Sequence, residues 1–126
     1  MQEINVYVKG VVYQNKGKGF ALSAWAVKGE PVHYIEHDVE SAYGAELEAI
    51  VNAIINLNEL EARLHFYSNQ KALMTQGNKR MIPTIRPIIQ EHCDFTWCPL
   101  KESPDDLLRL RDMAMREVEK RGKARV

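Results

Sequence analysis

The sequence predicts an α/β domain: a five-stranded mixed sheet, an antiparallel meander of three strands plus two parallel strands, flanked by helices in the order βββαβ(αα)βα. Three observations predict it. The first forty residues read as three strands separated by short turns, the first alternating apolar and polar positions. From Ala42 the apolar spacing changes to threes and fours. A helix then separates the fourth strand from the meander, so that strand can pair parallel to the first through a right-handed crossover.

Residues 3–13 form the first strand, with Ile4, Val6 and Val8 set against Asn5, Tyr7 and Lys9 before Val11-Val12-Tyr13. Gln14 to Gly19 is a turn by composition. Phe20 to Val27 is a second strand, apolar on both faces. Gly29-Glu30-Pro31 turns the chain into a third, Val32–Val39, which His33, Glu36 and His37 mark as an exposed edge. Ser41 can cap a helix running from Ala42 to Leu60, with Leu47, Ile50, Val51, Ile54 and Leu57 on one side. Leu64 to Ser68 is a short strand, and Gln70–Gln76 and Pro83–His92 are short helices. Phe95 to Cys98 is the fifth strand. Ser103-Pro104-Asp105-Asp106 starts the last helix, with the proline at its first helical position, and Leu107 to Glu119 completes it.

Residues 1–126 are expected to form one domain with a basic tail over 116–126. An apolar fraction of 45% and a charged fraction of 27% suit a soluble globular chain. No apolar run is long enough for a membrane span, and no basic-then-apolar leader opens the chain. Cys93 and Cys98 lie five apart around a strand, on opposite faces, so free thiols and an intracellular, cytoplasmic setting are expected. The formal net charge is zero, which removes the usual basic signature of a nucleic-acid binder. The charge is uneven, however. Lys9, Lys16 and Lys18 crowd the first hairpin, and Arg116, Lys120, Arg121, Lys123 and Arg125 crowd the tail, where a solvated helix end accounts for them. His33, His37, His65 and His92 show no metal-ligand spacing.

Five short motifs point further. Lys9-Gly10 lies in the middle of the first strand, and Asn15-Lys16-Gly17-Lys18-Gly19 forms the hairpin loop. Ala45-Glu46-Leu47-Glu48-Ala49 opens the long helix, Phe66 to Leu73 carries the fourth strand into the next helix, and Arg111-Asp112-Met113-Ala114 lies in the last helix. In this order the chain resembles ribonuclease H over nearly its whole length. The resemblance implies a ribonuclease H-like fold. It also implies an activity: hydrolysis of the RNA strand of an RNA–DNA hybrid by two magnesium ions roughly 3.5–4 Å apart, held by four carboxylates.

The resemblance puts two of those carboxylates on Glu46 and Asp112. Lys9 stands at the position of the most central one, and Ser68 at the third, which a one-residue shift would give to Asn69 instead. The formal charge of the set falls from −4 to −1, and an ammonium beside a divalent ion costs several kcal/mol. A non-cleaving relative is therefore expected, with no cofactor, or with Mg²⁺ if the site is active. Lys9 is expected to lie between Glu46 and Asp112 in place of the metal, or else to extend outward from a vacated pocket. Asn15, Gly17 and Gln70 fall on family positions that meet the hybrid's minor groove, and Tyr43 replaces an asparagine that contacts nucleic acid there; Lys16 and Lys18 could reach phosphates, or could guard an exposed hairpin against edge pairing. Turn chemistry alone also accounts for Asn15 and Gly17.

The expected role is binding of RNA or an RNA–DNA hybrid, or service as a subunit of a nucleic-acid-processing complex. Two alternatives stand beside it. One is an active, divergent magnesium-dependent hybrid endoribonuclease. The other is a protein-interaction scaffold that does not bind nucleic acid.

Overall fold

The computed structural model describes residues 2–15, 18–38, 41–57, 61–71 and 93–125. Five strands, β1 (Gln2–Asn15), β2 (Lys18–Val27), β3 (His33–His37), β4 (Ala62–Ser68) and β5 (Cys93–Trp97), form one sheet in the order β3-β2-β1-β4-β5. Antiparallel pairing joins β1 to β2 and β2 to β3, and parallel pairing joins β1 to β4 and β4 to β5. The expected mixed sheet is present. The first turn is tighter than its composition implies, because Asn15 pairs with Lys18 and the ladder runs almost to the tip.

Helix α1 (Ala42–Leu57) covers one face and helix α2 (Asp105–Ala124) the other. The Ser41 hydroxyl caps α1 as expected, accepting the Gly44 N–H at 3.0 Å. Ile4, Val6, Val8, Trp25, Leu64 and Phe66 meet Ala49, Ile50, Ala53 and Ile54 of α1 in one core. Tyr7, Val11, Phe20, Leu22, Ala24 and Ala26 meet Leu107, Leu110, Ala114 and Val118 of α2 in the other. Strand alternation produces this division, and burial on both sides explains why β2 reads as apolar throughout. Cys93 joins the first core and Cys98 the second, both as buried free thiols.

Two helix boundaries differ from expectation. Pro104 precedes α2 as its N-cap, with extended ψ of 156°, rather than occupying the first helical turn. Its carbonyl accepts the Leu107 and Leu108 N–H groups. Helix α2 also continues through most of the basic segment. Arg121 bonds Glu36 of β3 at 3.2 Å and approaches Glu117 one turn back, while Arg125 also pairs with Glu36 and lies over the Phe20 ring. Gly122 lets the helix pass against Tyr13, where an added methyl would overlap the ring. The 116–124 stretch is thus helical, with Arg116, Lys120 and Lys123 exposed to solvent and Arg121 anchored to Glu36. The last three residues of the expected 42–60 helix, the 83–92 helix, and all but the first two residues of the 70–76 helix lie outside the described residues. Among the described residues no helix is long and apolar enough to cross a membrane.

Candidate functional site

The site is built where α1 comes closest to the sheet. A side chain at Gly10 would lie 2.6 Å from the Glu46 nitrogen and closer still to the Ala42 carbonyl oxygen, so only glycine permits this approach. Ala45 and Ala49 keep the same contact shallow. Their spacing turns Glu46 inward with them, and its side chain is fully buried.

Opposite it stands Ser68, also fully buried at the end of β4. The Ser68 hydroxyl donates a short hydrogen bond to Glu46 Oε1 and accepts the Gln70 backbone N–H at 2.9 Å. Glu46 Oε2 is buried with no partner among the described residues. Burial pushes the Glu46 carboxyl up to about 7; the Ser68 hydrogen bond and the more distant charge of Lys9 oppose that rise without cancelling it. Asn69 turns elsewhere, its amide donating to the Cys98 carbonyl at 3.0 Å and to Ser103 Oγ at 2.7 Å. Of the two positions weighed for the third carboxylate, Ser68 is the one that meets Glu46.

Lys9 and Asp112 do not join them. Gly10 takes the α1 face of the strand, so its neighbour Lys9 takes the α2 face with Tyr7 and Val11. Half-buried Lys9 lines a cleft of about 330 Å³ with Arg111, Met115, Val118 and Glu119. It makes no ion pair with Glu46 or Asp112 among the described residues. The expectation that its ammonium sits between the two acids is therefore corrected: strand parity sends it to the other face, and its influence on Glu46 is exerted from a distance. Asp112 is exposed, 3.7 Å from the neighbouring Arg111.

A pair of hard dications needs several converging carboxylate oxygens. Among the described residues no three of His, Cys, Asp and Glu form such a group, and the one buried carboxylate is already engaged by a serine. This donor set does not fit a magnesium pair.

The expected binding residues are only partly described. Lys16 and Gly17 lie outside the described residues, and of Asn15 and Lys18 only the backbone pairing is described. Gln70 is half-buried beside Ser68, and Tyr43 packs against the first core. Two features went unnoticed in the sequence. Exposed Trp97, at the end of β5, carries the Lys71 ammonium 4.8 Å from its ring centroid. Arg111 shares a cleft with Lys9, a meeting that the spacing of Arg111, Met115, Val118 and Glu119 along one side of α2 could have suggested.

No family model matches the sequence, and no curated protein does either. Solved structures do. LC11-RNase H1, isolated from compost, superposes with a TM-score of 0.62 at 17% identity, covering 95% of this chain and 98% of that one. The fold is ribonuclease H-like. The same enzyme in complex with an RNA/DNA hybrid matches with a TM-score of 0.59 at 18% identity, over 93% of this chain and 97% of that one. Prototype foamy virus protease-reverse transcriptase matches with a TM-score of 0.68 at 10% identity, over 90% of this chain; the ribonuclease H-like chain spans only 20% of that protein's length.

Proposed function

We propose that this ribonuclease H-like chain binds RNA or an RNA–DNA hybrid without cutting it, as a subunit of a nucleic-acid-processing complex and without magnesium. One observation carries the reading. Glu46 is buried against Ser68 with its carboxyl pushed up to about 7, while the other two charged positions of the expected set lie apart from it, one of them a lysine. A carboxyl that is half neutral near pH 7 is a poor ligand for a hard cation. The partner class is supported by the solved complex of LC11-RNase H1 with an RNA/DNA hybrid. A cytoplasmic setting goes with two buried free thiols.

The test is a labelled RNA–DNA hybrid incubated with the protein and Mg²⁺, followed by titration of the same hybrid, duplex DNA and single strands across a range of salt. Saturable binding that weakens with salt, without cleavage, is the expected result. Cleavage that Glu46→Gln abolishes overturns the non-cleaving reading. Absence of any salt-dependent binding overturns the nucleic-acid reading and leaves a protein scaffold. Installing Ser68→Asp asks whether an acid restored beside Glu46 restores hydrolysis.

A further inference from the structure

The cleft beside β1 holds two cations that the Glu46–Ser68 pair does not use. Lys9 enters it from the strand and Arg111 from α2. Val11, Val118 and Met115 line it with apolar surface, and Glu119 is the single acid among its lining residues. Of the four positions that the resemblance assigns to carboxylates, Lys9 alone lines it; Glu46, Ser68 and Asp112 do not. Two like charges lining one cleft favour an anion between them, and the acid nearest Arg111, Asp112 at 3.7 Å, does not line that cleft. The apolar lining strengthens the attraction for such an anion by lowering the local dielectric.

The two heads are also complementary. A guanidinium grips a phosphate through two parallel N–H donors, and an ammonium serves as a compact point charge beside it. We propose that Lys9 and Arg111 form a phosphate clamp that holds one phosphodiester of a bound nucleic-acid strand. This rests on the nucleic-acid reading above and names the contact through which it acts. Lys9, at the position of a lost metal-binding acid, then has a use of its own: a fixed cation grips a phosphate and leaves it whole. Glu119 weakens the grip from its exposed position.

The test compares the unmodified protein with Lys9→Gln, Arg111→Gln, the double variant and Lys9→Arg, using fluorescence anisotropy of a short labelled hybrid between about 50 and 200 mM salt. Each neutral substitution is expected to weaken binding about tenfold and to lower the salt slope by about one. Lys9→Arg should retain most of the affinity, and Glu119→Gln should strengthen it. A double variant with unchanged circular dichroism and melting that binds with unaltered affinity and slope overturns the clamp while leaving nucleic-acid binding intact. Titrating inorganic phosphate into the unmodified protein, read by NMR at the Lys9 and Arg111 side chains, needs no variant to fold. Shifts at both side chains support the clamp even if no hybrid binds, with free phosphate then the source of the anion. No shift at either, together with no hybrid binding, overturns it.

Discussion

Replacing Glu46 by glutamine should change how stability depends on pH, by an amount the structure sets. Burial raises the carboxyl from its ordinary 4.5 to about 7. Between those values the folded chain holds a proton that the unfolded chain has released. Stability therefore falls as pH rises through this window and levels off above about 7. At about 1.4 kcal/mol for each pH unit of separation, the charged carboxylate costs about 3 kcal/mol above neutrality relative to its neutral form. Glutamine keeps an oxygen for the Ser68 hydroxyl and never ionises. Its amide NH₂ occupies the place of the unpartnered Oε2 at every pH, so that penalty is constant.

The variant should gain on the unmodified protein by about 3 kcal/mol between pH 4 and pH 8, or about 10 °C in Tm. Urea melts of both proteins at a series of pH values measure this, and subtraction cancels every histidine and surface acid they share. Parallel stability curves would refute the reasoning, because they would mean that Glu46 ionises as it does in water.

Three further outcomes are expected. Gly10→Ala forces a methyl into the α1 backbone and should cost about 3 kcal/mol or more, measured by denaturant midpoint. Both thiols are buried, and burial pushes Cys93 up to about 12 and Cys98 above its ordinary range; neither should react with a thiol reagent at pH 8 until the protein is unfolded. Glu36→Gln removes the carboxylate shared by Arg121 and Arg125. Since all three side chains are about a third exposed or more, the loss should stay below about 1 kcal/mol and shrink in high salt.

Much of the fold was legible because local and long-range signals agree. The period-two opening, the Ser41 cap and the change of period at Ala42 all recur in the structure. The Glu46–Ser68 pairing was legible only through the resemblance, since nothing local says that a helix and a strand end twenty-two residues apart will meet. Lys9 was misplaced because family position was weighted over strand parity: Tyr7 and Val11 on the same face already assigned it to α2. The length of α2 was hidden by polarity. Lys120, Arg121 and Lys123 are good helix formers, but the Glu36 and Phe20 that anchor the following turns lie far back in the chain.

The central strand has two neighbours of very different origin. Its partner β2 follows across a two-residue connection, whereas Gln2 must wait for Ala62 and Tyr7 for Tyr67. The hairpin can therefore zip up early, but the parallel seam has to close a long loop first, and non-local closure of that kind slows folding. Until it closes, the first half of β1 presents an unfilled edge rich in Ile and Val, so the interval between those two events is when a newly made chain is most prone to self-association.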